Sequence, residues 1–217
     1  MRNMNSLIIV GSGGHAVSVA NVAIAAGFTV RYFVDSSSSG RKLLGVDVVS
    51  AIDDIQNFHE YNFALGIGDN CAREVVYEKL ISSHGRLHFP PLIHSSAVVS
   101  TFSVIGIGAV LMPHSVVGPS SRIGSFCILN TSATVDHNCV TERFSSLAPR
   151  ATFGGDVKVG QRSAILLGAV VKHGVSIGKD VVVGANSYVN QNLPDSVVAF
   201  GTPARIMRSR QTGEPYM

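Results

Sequence analysis

Two short stretches of the chain hold residue types whose spacing suits chemistry. "TVDHNCV", at 134–140, sets His137 between Asp136 and Asn138 in a segment that is otherwise small and apolar. An imidazole titrates close to neutrality, so a histidine in such surroundings reads either as a proton acceptor in a reaction or as a plain surface residue. "GSGGHA", at 11–16, follows an apolar run and puts Gly11, Gly13 and Ala16 in the GxGxxG/A spacing, with Asp35 nineteen residues beyond Ala16. Glycines so spaced let backbone N–H groups approach a phosphate at a helix N-terminus, where the dipole favours negative charge. The acid then stands where a ribose hydroxyl is met. A tight turn with no ligand is the alternative.

The elements that must position His137 follow from a repeat. From Ile93 the chain divides into seventeen hexads without an insertion. The first place is Val, Ile or Leu in fifteen of them, Thr141 and Phe153 being the exceptions; the fifth is Ala, Ser or Cys in thirteen, and the second is Gly in seven. Periods of 2 and 3.6 both fail to account for a six-residue cycle of large aliphatic and small residues. Three hexads to a triangular coil account for it: aliphatic places stack inside, small places fill the corners, and residues eighteen apart lie one above another. Gly155 then lies one coil from His137, at roughly 5 Å, and His173 two coils away, at about 10 Å. Cys127 and Cys139 take the small inward place and read as core.

The first ninety residues differ in kind. "SLIIV" is an apolar strand, "VSVANVAIAAG" has helical composition with Gly27 as its C-terminal cap, and "TVRYFVD" is a second strand ending at Asp35. A further strand and loop, "NFALGIGDN" at 62–70, and a helix over 72–85 complete the segment. Half a dinucleotide fold suits a mononucleotide unit, so a nucleoside diphosphate carrying another group is expected here in preference to NAD.

Composition narrows the function classes. A chain of 217 residues, 46% hydrophobic and 14% charged, can bury a full core in one large or two small domains. Its net charge of +3 comes without a run of either sign and says little about nucleic acid, which is not expected as a partner. The four apolar residues at 7–10 are too few for a signal-peptide core or a membrane span, and a cytoplasmic location is expected. Cys71, Cys127 and Cys139 are odd in number and lack CxxC spacing, so reduced thiols are expected.

A βαβ unit followed by a hexapeptide solenoid resembles, over nearly the whole chain, a family of bacterial enzymes. These are the nucleotide-sugar N-acetyltransferases of the bacillosamine, perosamine and viosamine type, within the hexapeptide-repeat acyltransferase superfamily. The resemblance rests on "GSGGHA", "GIGDN" (66–70), "IHSSAVVS" (93–100), "NTSATVDHNC" (130–139) and the closing "GTPAR" (201–205). It implies a Rossmann-like α/β half domain at 1–90 that binds the nucleotide sugar, and a left-handed parallel β-helix with a C-terminal tail at 91–217. The implied reaction is acetylation of the 4-amino group of a nucleotide-linked 4-amino-4,6-dideoxy sugar for surface-glycan or protein-glycan synthesis. Acetyl-CoA is the co-substrate, and no metal is implied. His137 takes the position of the family's general base, and Gly155 offers a backbone N–H to the oxyanion formed from the thioester. Relatives often carry an acid directly after the histidine; here the residue is Asn138, so the ring is oriented either by the Asn138 amide, without added charge, or by one of the nearest acids, Asp136 and Glu142.

Further roles carry over from the same resemblance. Gly13, Gly14 and His15 match the diphosphate loop, Asp35 and Ser36 the nucleoside contact, and Gly68, Asp69 and Asn70 the far wall of the sugar-nucleotide pocket. Ser146, Leu167 and Ala185 match an acetyl-CoA groove between subunits of a homotrimer. The sequence adds a physical reason for assembly, since Val104, Val110, Val116, Leu166 and Leu167 take outward places and would leave apolar strips on a monomer. UDP is the first expectation for the nucleotide, with GDP and dTDP open.

Three other readings compete. A zinc site of the gamma-carbonic-anhydrase kind would use His137 and His173, but Gly178 stands where a further histidine is needed, and two ligands leave zinc incomplete. O-acetylation of a sugar such as sialic acid needs the same base. A non-catalytic sugar-nucleotide scaffold would keep the glycine loop and have no use for His137.

Overall fold

The computed structural model describes residues 5–216. Its N-terminal unit is a five-stranded sheet with two helices: β1 (Ser6–Val10), α1 (Gly14–Ala25), β2 (Thr29–Val34), β3 (Lys42–Leu43), β4 (Val46–Val49), β5 (Asn62–Leu65) and α2 (Asn70–His84). The sheet order is β3-β4-β2-β1-β5. β1 is parallel to both β2 and β5 and wholly buried, which is why it reads as an uninterrupted apolar run. The third fingerprint position is small for a visible reason: a Cβ on Gly66, at the end of β5, would come within 2.5 Å of the Ala16 Cβ. The β3–β4 hairpin extends the sheet beyond what the sequence suggested. Its turn residues Leu44 and Gly45 both have positive φ, a hairpin turn that "LG" signals less clearly than "NG" would.

From Leu92–Ile93 to Tyr188–Val189, two-residue strands recur every six residues. Each strand up to Val170–Val171 pairs in parallel with the strand eighteen residues on, as in Val116, Thr134 and Thr152. They stack into three faces: the first runs from Val98–Val99 to Tyr188–Val189, the second from Val104–Ile105 to Ser176–Ile177, and the third from Leu92–Ile93 through Val182–Val183 into the closing hairpin Val197–Gly201 and Ala204–Ser209. First-place residues from Leu111 to Val189 are buried, including the exceptions Thr141 and Phe153, and so are the fifth-place residues Cys127 and Cys139. Second-place glycines are required because the next coil lies against them; a Cβ on Gly118 would be 2.8 Å from the Asp136 carbonyl carbon. Every sixth residue from Gly108 to Asn186 also has φ between +54° and +73°, which turns the corner at the fourth place. Asn138 and Asp156 stand at such positions, which their residue types tolerate well.

The α/β unit sits on the third face. α1 packs on Leu92–Ile93 and Val110–Leu111. Val110 is therefore only 3% exposed, within the cluster that contains Ala16 and Val19, and it belongs to no free strip as the sequence suggested; Val104 and Leu167 are exposed as expected. α2 grips the corner between the second and third faces through Arg73. That guanidinium donates to the carbonyls of Phe126 (2.9 Å), Phe144 (3.0 Å), Ile67 (3.1 Å) and Gly68 (2.8 Å) and to Asn70 Oδ1 (2.7 Å). Burial pulls its pKa down to about 10, so it stays charged near neutrality. Phe126 and Phe144 stack below it, with centroids 5.1 Å apart.

Candidate active site

His137 stands at the corner between the first and second faces, because its hexad leaves Thr134–Val135 of one and enters Val140–Thr141 of the other. Its half-buried ring rests on Gly155, one coil on, where a Cβ would overlap ring atoms Cε1 and Nε2 and lie 2.9 Å from Nδ1. No larger residue leaves that seat free. Among the described residues the Gly155 N–H donates no hydrogen bond. Asn138 Nδ2 lies 3.1 Å from His137 Nδ1, so the expected orienting contact is present. Asp136 instead accepts from the His137 backbone N–H at 2.8 Å, and Glu142 accepts from the Gln161 N–H at 3.1 Å.

The same corner corrects one distance. His137 and His173 do not stand about 10 Å apart; their ring centroids are 6.3 Å apart. The backbones are two coils apart, but the rings lean across the intervening Gly154 and Gly155. Asp156 lies between them, its Oδ2 3.6 Å from His173 Nε2.

The glycine loop opens where the sequence placed it. Gly13 is the N-cap of α1, and an added Cβ at Gly13 or Gly14 meets nothing within 4 Å, which leaves room at the helix N-terminus for a phosphate. Asp35 and Ser36 line a cavity of about 630 Å³ with Gly11, Ile67, Lys79 and His84. The Asp35 carboxylate is held by Ser37 (Oγ at 2.7 Å) and Ser12 (Oγ at 2.7 Å), and these hydrogen bonds lower its pKa. Asp35 thus ties the glycine loop to the end of β2. Arg41 donates to Ser12 Oγ at 3.2 Å and so brings a cation to the loop. Arg41 and Lys79 were missed in the sequence because neither lies in a motif; only the β3–β4 hairpin and α2 carry them there.

His15 points the other way, into a smaller space of about 90 Å³ shared with Gly68, Asn130, Ser146, Leu166 and Tyr216. Burial and the neighbouring Arg73 charge lower its pKa to about 4, so the ring is neutral, and its buried Nε2 has no hydrogen-bond partner among the described residues. Asp69 caps α2 by accepting from the Ala72 N–H at 2.8 Å. Asn70, 1% exposed, donates to the carbonyls of Arg162 and Ser163, both at 3.1 Å, and its N–H meets the Tyr216 hydroxyl at 3.1 Å. Asp69 thus serves its own helix and Asn70 joins that helix to the solenoid; of the three, Gly68 lines the space beside His15. Ser146 lies on the third face beside His15, apart from Leu167 and Ala185, which are exposed at the corner between the third and first faces. Within one chain, then, the nucleotide loop and His137 do not meet. The α/β unit covers the third face, and His137 projects where the other two join.

A family model described as the PglD N-terminal domain matches residues 6–80. A histidine-to-asparagine variant of perosamine N-acetyltransferase from Caulobacter crescentus, solved in complex with CoA and GDP-perosamine, is 37% identical. It superposes with a TM-score of 0.88, over 94% of this chain and 97% of that one. The chain belongs to the nucleotide-sugar N-acetyltransferase family. This N-acetyltransferase is also similar to the acetyltransferase domain of PglB from Neisseria gonorrhoeae, solved with acetyl coenzyme A (28% identity, TM-score 0.87, covering 94% of this chain and 100% of that one). GDP-perosamine N-acetyltransferase of Escherichia coli O157:H7 is 28% identical over 187 residues, 83% of each chain. The solenoid is the left-handed parallel β-helix of these acetyl-CoA-dependent sugar N-acetyltransferases. No helix among the described residues is long and apolar enough to cross a membrane.

Proposed function

We propose that this enzyme transfers the acetyl group of acetyl-CoA to the 4-amino group of a nucleotide-linked 4-amino-4,6-dideoxy sugar, with His137 as general base. The observation that carries this reading is the seat of His137: a half-buried imidazole laid on Gly155, whose N–H is unpartnered among the described residues, with the Asn138 amide on ring atom Nδ1. In the reaction the amine attacks the thioester carbonyl carbon and its proton passes to His137. The tetrahedral oxyanion accepts from the Gly155 N–H, the C–S bond breaks, and the CoA thiolate leaves with the proton from the imidazole. A base acting through Nε2 needs Nδ1 protonated, and therefore needs Asn138 Oδ1 turned toward it. A half-turn of the amide about its last torsion supplies this, since the two ends are nearly isosteric.

The nucleotide sugar is assigned to the glycine loop, with Gly13, Gly14 and Arg41 at the diphosphate, the cavity beside Asp35 and Ser36 taking the nucleoside, and His15 and Gly68 meeting the group beyond. The sequence favoured UDP. The two perosamine relatives, one solved with GDP-perosamine and one named for it, support GDP instead. Because His137 and the glycine loop occupy different sides of one chain, the reading includes a homotrimer in which a neighbour's loop faces His137. The first face suits that contact. Its outward residues Val98, Val170 and Tyr188 are 62%, 41% and 37% exposed, and the face is bordered by the His137 corner on one side and by Leu167 and Ala185 on the other. Packing first faces covers these apolar residues and brings Leu167 and Ala185 of one chain toward His137 of the next, where they would line acetyl-CoA.

The test is incubation with acetyl-CoA and GDP-, UDP- and dTDP-linked sugars bearing a 4-amino or 4-hydroxy group, with mass detection. Acetylation of a GDP-linked 4-amino sugar is expected. Turnover of 4-hydroxy sugars alone would replace the reading with O-acetylation, and binding without turnover would support a scaffold.

A further inference from the structure

We propose that His137, Asp156 and His173 form a binding site for a divalent d-block cation of the zinc class, and that its occupancy reversibly silences the enzyme. The three side chains share one corner of the solenoid. His137 and His173 take the same hexad place two coils apart, and Asp156 takes the left-handed fourth place of the coil between, with φ +61°. One ligand atom from each of the three lies within 4.8 Å of the others, and the His173 Nε2 to Asp156 Oδ2 distance is 3.6 Å. Zinc held at about 2.0–2.2 Å by nitrogen and carboxylate oxygen needs donors about 3.4 Å apart in a tetrahedron, so the second pair already has the required span. The third donor closes by rotamer change alone, because the Asp156 and His173 side chains are 46% and 65% exposed and free to turn.

The donor set defines the class of ion. Two neutral imidazoles with one carboxylate suit zinc, cobalt, nickel and copper, whereas magnesium and calcium require oxygen ligands. Three protein ligands leave a fourth position for water. A cation there occupies a lone pair of His137, so metal binding and proton abstraction exclude one another. The binding half of the proposal stands on geometry alone; the inhibition half rests on the reading of His137 as the base.

The test uses the full chain, stripped with a chelator. Calorimetry with Zn²⁺ is expected to give one site per chain, and Co²⁺ to give the visible absorption of a tetrahedral nitrogen–oxygen site. Zn²⁺ is expected to stop acetyl transfer, with recovery on chelation. His173→Ala and Asp156→Asn should each weaken Zn²⁺ binding by about tenfold or more while leaving the metal-free kcat unchanged. Zn²⁺ binding that is absent, or undiminished in both variants, would overturn the site. Binding that weakens in both variants but never inhibits would overturn the inhibition, whereas the role of His137 as base is judged separately by the metal-free kcat of His137→Ala.

Discussion

Replacing Gly155 with alanine isolates the feature on which the catalytic reading depends. The added Cβ would overlap His137 Cε1 and Nε2 and stand 2.9 Å from Nδ1, whereas ordinary contact begins at 3.4 Å. The ring must therefore withdraw by about 1 Å, a misplacement that costs on the order of 10² in rate when it removes a reacting group from its attack geometry. That corresponds to about 2.7 kcal/mol of transition-state stabilisation. The fold should be nearly unaffected. Gly155 is not among the residues with positive φ, so alanine adopts its backbone without strain, and the half-buried ring can swing toward solvent. The alanine keeps its N–H, so the candidate oxyanion donor remains. Steady-state assays of CoA release should give a kcat about 10²-fold below wild type, with the Kd for acetyl-CoA and the Tm close to wild type. A kcat within about threefold of wild type would refute the claim that the seat on Gly155 positions the base.

Three further outcomes follow from other contacts. Asn138→Asp places a carboxylate against His137 Nδ1, which stabilises the imidazolium, so the acid limb of the kcat/KM pH profile should move to higher pH; an unmoved profile would show that residue 138 does not act on the ring. Arg73→Met leaves three buried and two partly buried acceptors without their donor and should cost about 3–5 kcal/mol, read as a fall of about 10 °C in Tm. His15, with its pKa lowered to about 4, stays neutral in the folded chain while the unfolded chain takes up a proton below about pH 6.5. Stability should therefore fall by about 3 kcal/mol as pH drops from 6.5 to 4, and His15→Gln should flatten that slope in urea titrations.

Much of this was legible in the sequence because the hexad rule is periodic. It set which residues face inward, that Cys127 and Cys139 are core, and that Gly155 lies next to His137. The fingerprint likewise located the α1 N-terminus and, through Ala16 against Gly66, the close packing behind it. What stayed hidden depends on side-chain direction and on docking between units. Backbone spacing put His173 about two coils from His137 and gave no sign that the rings lean together across two glycines around Asp156. Asn70 read as a pocket wall because its partners, the carbonyls of Arg162 and Ser163, lie more than ninety residues away. Arg73 gave no signal either, since nothing in "NCAREVV" shows which solenoid turns its guanidinium will reach.

A site completed by a neighbouring chain is tested most directly by complementation between two inactive variants. His137→Ala keeps the glycine loop, and Gly13→Trp keeps the base while filling open space at the α1 N-terminus. Each variant alone should be inactive as a homotrimer. Co-expressed under different tags and isolated by both, every mixed trimer holds one site in which an intact loop faces an intact His137, so activity should return to about one third of wild type. Mixed trimers with no activity would contradict the account, and would mean that the nucleotide loop and the base of a single chain serve the same reaction.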